Sequence, residues 1–127
     1  MSFRLSERSM KRLAGVHPRL VALVKEAAAL SPVDFMVTEG LRTSERQAAL
    51  LRAGASRTRR SRHLTGHAVD VAALVEGQVR WDWPLYPRIA AAFKAAAARQ
   101  GTAIVWGGDW TSLRDGPHFE LDRRAFP

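Results

Sequence analysis

The apolar positions of the chain change period several times, and each change marks an element. Leu20, Leu23, Val24 and Ala27 recur three and four apart behind His17-Pro18. This predicts a helix with proline in its first turn and Ser31-Pro32 as its stop. Asp34 to Glu39 reads as a strand that turns at Gly40. Thr43 or Ser44 caps the next helix, with Gln47 completing a Ser-x-x-Gln box and Gly54 ending it. Ala55 to Thr65 is polar and basic and reads as a surface loop. Ala68 to Leu74 has the composition of a buried strand, and Glu76-Gly77 turns it into a hairpin with Gln78 to Trp81. Pro84 opens a further helix with Leu85, Ile89, Phe93 and Ala96 on one stripe and Gly101 as its stop. Ile104 to Trp106 and His118 to Leu121 are short strands, with a tight turn at Gly107-Gly108 after the first. Helices in front of clustered short strands predict an α+β fold, with N-terminal helices packed on a short, mainly antiparallel sheet.

At 127 residues the length suits one domain over 1–127, large enough for a core without disulfides. The chain has no cysteine, which excludes thiol nucleophiles and Cys-ligated metal, so a metal here needs His, Asp or Glu. Twenty basic against twelve acidic residues give a net charge of +8, which favours a polyanionic partner: nucleic acid, anionic lipid or an acidic wall polymer. Arg57, Arg59, Arg60 and Arg62 form the densest run and read as a solvated loop. No segment has the length of a membrane span, and the N-terminal residues lack the apolar block of a secretory signal. The expected site of synthesis and accumulation is the cytosol.

Chemistry concentrates in Ser61-Arg62-His63-Leu64-Thr65-Gly66-His67-Ala68-Val69-Asp70 and in Asp115-Gly116-Pro117-His118-Phe119-Glu120-Leu121. Extended, His63 and Asp70 would stand roughly 23 Å apart. Ligands of one ion converge within about 2 Å of it, so a shared ion requires the segment to fold back at Gly66. Asp70 sits in an apolar strand, where an unpaired carboxylate is costly and a neighbouring cation removes the cost. His63 and His67 stand four apart, but Leu64 occupies the place of the glutamate in a helical zinc motif, and Gly66 breaks the helix.

The pattern Ser-x-His-x-x-Gly-x-Ala-x-Asp, followed by Asp-x-Pro-His, resembles the zinc peptidases of the D-alanyl-D-alanine carboxypeptidase superfamily, and within it the phage endolysins that are L-alanyl-D-glutamate peptidases. Further matching stretches are Gly15 to Pro18, Glu39 to Thr43, Trp81 to Pro84 and Trp106 to Trp110. The resemblance implies one zinc ion per chain, held by His63, Asp70 and His118, with a fourth position open to water. It also implies Asp115 as general base and Arg42 as the residue that steadies an oxyanion or anchors substrate. Ser61 and Thr65 would shape the loop around the ligands. Glu120 shares a strand face with His118 and competes for the base role. His67 is a contact residue or a surface one, and His17 a helix-start residue. The four tryptophans, Trp81, Trp83, Trp106 and Trp110, could stack on sugar rings but read first as core, with Trp110 able to line the cleft.

The implied function is cleavage of a peptidoglycan stem peptide, at the L-Ala–D-Glu bond, by a monomeric endolysin. Such an enzyme inserts into no membrane and reaches the wall from the host cytoplasm through a holin-type pore. The alternatives are a D-Ala-D-Ala carboxypeptidase, a basic nucleic-acid-binding protein, and a virion module that holds metal without hydrolysis. No nucleic-acid recognition motif accompanies the charge.

Overall fold

Alternation along the central strand divides the protein into a packed side and a chemical side. In the computed structural model, which describes residues 5–54, 61–112 and 114–127, that strand is β2 (Ala68–Val75). It pairs along one edge with β1 (Asp34–Glu39) and along the other with β5 (His118–Leu121) and then β3 (Gln78–Arg80). β4 (Ile104–Trp106) adds to β5, and all four pairings are antiparallel. The helices are α1 (Glu7–Arg12), α2 (Pro18–Leu30), α3 (Ser44–Arg52) and α4 (Leu85–Gln100). The expected α+β fold, with helices on an antiparallel sheet, is the one observed. No helix among the described residues is long and apolar enough to cross a membrane.

Period-2 geometry sends Val69, Val71 and Ala73 of β2 and Phe119 and Leu121 of β5 into the core. There they meet Leu20, Leu23, Val24 and Ala27 of α2 and Ile89, Phe93 and Ala96 of α4, the helical stripes read from the sequence. Phe93 lies at the centre, parallel to Phe119 at 3.8 Å between ring centroids and tilted against Phe35 at 5.5 Å. The intervening residues Asp70, His118 and Glu120 therefore point to the opposite face.

α1 was not anticipated. It buries Ser9 and no apolar side chain of its own six residues, so it carries no hydrophobic period; its signals are the Ser6 cap, Glu7 in its first turn and Lys11 and Arg12 in its last. Its work is on the outer edge of β1, where Val37 N–H donates to Ser9 Oγ at 3.0 Å and Arg12 Nη1 donates to Val37 O at 2.9 Å. These bonds close an edge that would otherwise be open to pairing.

Three further expectations need correction. Thr43, in extended conformation, is the cap of α3 and accepts from Arg46 N–H. Gln47 thus falls one position beyond a capping box, and its Oε1 accepts from Arg42 Nη1 instead. The stretch read as a surface loop lies partly outside the described residues, Arg57, Arg59 and Arg60 included. Its remainder is a 3₁₀ turn, Arg62–Thr65, with Arg62 and His63 buried. Arg62 is no solvated charge, since its Nη2 donates to the carbonyls of Leu121 and Phe126. Finally, Trp106 is buried as expected, but Trp81 and Trp83 are exposed.

Phe93→Ala should cost about 3–5 kcal/mol, the usual penalty for emptying an aromatic site in a core. Urea denaturation of parent and variant measures it, and a loss below about 1 kcal/mol would place the centre of the core elsewhere.

Candidate metal centre and active site

Antiparallel register places Asp70 of β2 directly opposite His118 of β5, on the face away from the core. His63 arrives from the 3₁₀ turn. Ser61 caps that turn, accepting from His63 N–H at 3.2 Å, and Gly66 ends it with φ +74°. At Gly66 a side chain would collide with the Gly15 carbonyl, so both the conformation and the approach of the N-terminal segment require glycine. This is the fold-back expected between His63 and Asp70.

The three residues form one cluster, with a donor atom from each lying within 4.8 Å of the others. His118 Nδ1 is 3.1 Å from Asp70 Oδ1, and His63 Nε2 is 3.3 Å from Asp70 Oδ2. The two imidazoles meet edge-on at 5.2 Å. Each ring is anchored by its other nitrogen. His63 Nδ1–H donates to Gly40 O at 2.9 Å, and His118 Nε2–H donates to Glu120 Oε1 at 2.8 Å. A ring held in this way turns its remaining nitrogen inward, the usual preparation of a metal-binding histidine. Two imidazoles and a carboxylate, without thiolate, are donors suited to a divalent ion, so the cluster could hold a metal.

Glu120 is buried on the far side of His118, with Oε2 3.9 Å from Arg62 Nε and 3.8 Å from Arg123 Nε. The shared strand face was legible in the sequence. The partner it serves was not.

Arg42 reaches the cluster through a break in β1. Regular pairing after Val37 opposite Val71 would set Thr38 opposite Asp70, but a register shift brings Glu39 there. One extra residue turns Glu39 from the core face to the face of Asp70. Its carboxylate then takes a bidentate contact from Arg42, Nε at 2.6 Å and Nη2 at 3.0 Å. Arg42 Nη1 also donates to Gln47 Oε1 at 2.7 Å and to Ser61 Oγ at 3.4 Å, and Nη2 stands 3.8 Å from Asp70 Oδ2. The guanidinium is thus fixed beside the cluster. Glu39 and Gln47, which hold it there, were not among the sequence candidates; both are polar residues within five positions of Arg42, a spacing that could have flagged them.

Asp115 sits half-buried in the loop before β5, its backbone tied to Gly107 O at 3.0 Å and to His118 N–H at 3.1 Å. Trp110 lies against His118, ring centroids 5.2 Å apart, as a lining residue would. Thr65 and His67 turn elsewhere: His67 Nδ1 bonds Thr65 Oγ1 at 2.7 Å, and its ring faces His17 at 5.5 Å. His17 opens α2 as expected, its Nδ1 accepting from Arg19 N–H.

The charges of these groups are coupled. Burial by itself would raise the Asp70 carboxyl, but hydrogen bonds from His118 and His63, and the charge on both, hold it well below the usual carboxylate range. Burial pushes His118 down, yet its bonds to Asp70 and Glu120 and their charges lift it to about 9. Asp115 is raised, first by burial and then by the negative charge of Asp70, against the pull of His118, His63 and Arg42. A carboxylate so placed is a better proton acceptor than one in water.

Comparison with known proteins bears on the fold and the family. A model of the phage L-alanyl-D-glutamate peptidase family matches residues 1–126. The chain is 33% identical to the L-alanyl-D-glutamate peptidase of Escherichia phage T5, over 99% of this chain and 94% of that one. It is 35% identical to the L-alanyl-D-glutamate peptidase of Listeria phage A118, over 74% of this chain but only 32% of that longer protein. The crystal structure of the L-Ala D-Glu endopeptidase ChiX from Serratia marcescens superimposes with a TM-score of 0.94 at 50% identity, covering 99% of this chain and 95% of that one. Fold and relatives together define a peptide hydrolase. The chain belongs to the phage L-alanyl-D-glutamate peptidase family.

In the metal-free protein His118 should titrate near pH 9 and not near 6.5. The folded value lies above the unfolded one. The stabilisation these bonds give is therefore complete below about pH 6.5 and lost as pH rises through about 9. A metal ion needs the same nitrogen unprotonated, so affinity should climb with pH up to that point, and uptake near neutrality should release a proton. NMR titration of the imidazole and a pH series of metal competition measure both; a midpoint at 6.5 would dissolve the coupling to Asp70 and Glu120.

Proposed function

We propose that this chain is a zinc-dependent peptidoglycan peptidase that cleaves the stem peptide between L-alanine and D-glutamate, serving as a phage or prophage endolysin. The observation that carries the reading is the meeting of His63, Asp70 and His118 in one cluster, with the fixed cation of Arg42 and the raised carboxyl of Asp115 at its side. The activities named for the relatives supply the bond.

His63 Nε2, an Asp70 oxygen and His118 Nδ1 would hold the zinc. Bound there, it supplies Lewis acidity and brings the pKa of a water to about 7. Asp115 takes the proton from the water that attacks the peptide carbonyl and returns it to the departing amine. Arg42, clamped by Glu39 and Gln47, offers a positive charge that needs no rearrangement to meet the oxyanion or a substrate carboxylate. Glu120 keeps His118 oriented and basic, a task that leaves its Oε1 engaged and favours Asp115 for the base role. One catalytic domain acting as a monomer suffices. Its charge of +8 suits the phosphates and carboxylates of a bacterial wall. It accumulates in the host cytoplasm and meets the wall after a holin-type pore opens.

Digestion of purified peptidoglycan, read by mass spectrometry, should yield new N-terminal D-glutamate; free D-alanine would instead establish a carboxypeptidase. Metal analysis should find one zinc per chain, with activity lost on chelation and restored by zinc.

Substitutions separate the roles. His118→Ala should lose both zinc and hydrolysis. Asp115→Ala and Asp115→Asn should keep zinc and lose roughly 100- to 10,000-fold in turnover. Glu120→Gln should weaken zinc binding by about 10- to 100-fold and recover activity when zinc is added in excess. If Asp115→Asn turns over like the parent while zinc-saturated Glu120→Gln is inactive, Glu120 is the base.

A further inference from the structure

Two indoles that the core does not use stack on Tyr86 and Trp106, and one of them, Trp83, stands next to the loop that carries Asp115. Trp81 is 61% exposed and Trp83 43%. Both are nonetheless held from behind by buried rings. Trp81 lies parallel to Tyr86, with centroids 6.3 Å apart and planes 5° from parallel. Tyr86 is itself fixed, its hydroxyl donating to Arg80 O at 2.7 Å and accepting from Ala73 N–H at 3.1 Å. Trp83 stacks on Trp106 at 5.8 Å, and the Trp106 indole N–H donates to Gly116 O at 2.7 Å. A side chain at Gly116 would begin 3.1 Å from the Trp83 ring, so that ring rests on the residue following Asp115. The Arg114 guanidinium lies over it, 5.4 Å from its centroid. Through Gly116 the Trp83 ring adjoins the Asp115 loop, Trp81 joins it by way of Tyr86, which also lies against Gly116, and Arg114 sets a hydrogen-bonding cation over the Trp83 ring.

The substrate sets what can occupy such a face. In peptidoglycan the L-alanine is the residue joined to the glycan, so the bond to D-glutamate lies one residue from a sugar. One residue spans at most about 3.6 Å and the lactyl link to the ring is of similar length, so a sugar ring lies close to any site that cuts this bond in glycan-linked stems. Sugar rings present C–H faces that pack flat on indole, while their hydroxyl and acetamido oxygens accept from guanidinium. Rings whose rotamers are already fixed by stacking lose little entropy when a ligand arrives.

We propose that Trp81 and Trp83, with Arg114, form a docking face for the amino-sugar glycan of peptidoglycan, so that the enzyme reads the sugar as well as the stem peptide. The assignment rests on the peptidase reading above and names a part of the substrate which that reading leaves open.

The test compares initial rates on a disaccharide-linked stem peptide and on the same peptide without sugar. The parent should favour the sugar-bearing substrate in kcat/KM. Trp81→Ala and Trp83→Ala should each lower that preference about 2- to 10-fold, the range of one aromatic contact, mainly through KM for the sugar-bearing substrate. Trp83→Tyr, which restores a ring, should recover most of it. Leu30→Gln, at an exposed position on α2, should match the parent. Trp83→Ala can disturb the adjoining Asp115 loop, but such damage slows both substrates and cancels in the ratio; Trp81, stacked on Tyr86, provides the second variant. A parent that cleaves both substrates equally well, or a ratio unmoved in both alanine variants, overturns the docking face and leaves the peptidase intact. A parent that cleaves neither removes the peptidase reading and the docking face with it.

Discussion

The carboxylate of Asp70 is the constraint around which the remaining polar groups are arranged. β2 runs through the middle of the sheet, flanked on both edges, and its neighbours Val69 and Val71 are fully buried. A negative charge at that place is stable only when donors or cations surround it. The fold supplies His118 from across the strand pair, His63 from the 3₁₀ turn and Arg42 from beyond the bulge in β1. Each comes from a different element, so the cluster also ties the turn, the bulge and β5 to the central strand. The same arrangement gathers His63, Asp70 and His118 at one point, where a metal ion could take the place of the proton on His118.

The core face and the site face obey the same rule of alternation but differ in how much of them can be read from sequence. Val69, Val71, Phe119 and Leu121 announce the core because apolar residues at period 2 have one explanation. Strand bounds at Asp34–Glu39, Ile104–Trp106 and His118–Leu121 were legible as short segments between turn residues, and the helix ended by Gly101 through its own apolar stripe. The metal candidates became legible through motif, since nothing in spacing alone draws His63 to Asp70. What stayed hidden depends on contacts between distant segments. The bulge at Val37–Glu39 has no local signature, yet it alone turns Glu39 toward Arg42. α1 has a polar surface and is placed by Ser9 and Arg12 on the edge of β1, both bound to Val37, 28 and 25 residues away.

Arg62 shows why charge runs mislead. By sequence it is the last of a basic stretch, and solvation is the sensible default for arginine. In the fold it is enclosed between β5 and the C-terminal residues, with its Nη2 on two carbonyls and its Nε facing Glu120. Burial lowers its pKa and the Glu120 charge works against that shift. The pair lies behind His118, so the histidine's outer nitrogen meets a carboxylate that is itself held by a cation. Loss of Arg62 would leave Glu120 buried with less compensation, and the consequence would reach His118 before it reached the surface.

Asp115 and Glu120 then illustrate how two carboxylates five residues apart come to differ in chemistry. Glu120 follows the strand, so alternation buries it beside His118 and binds its Oε1 to a ring nitrogen at 2.8 Å. An oxygen committed in this way is a poor proton shuttle, because taking a proton would break the bond that orients the ring. Asp115 precedes the strand, in a loop fixed by backbone bonds to Gly107 and His118. Its position is set without using its side chain, and burial, then the nearby charge of Asp70, makes the carboxylate readier to accept a proton. Positioning through the backbone and protonation through the side chain are separable only at a residue like Asp115. On the proposed reading, that separation, more than proximity to the cluster, would suit Asp115 to acid–base work and Glu120 to holding the His118 ring still.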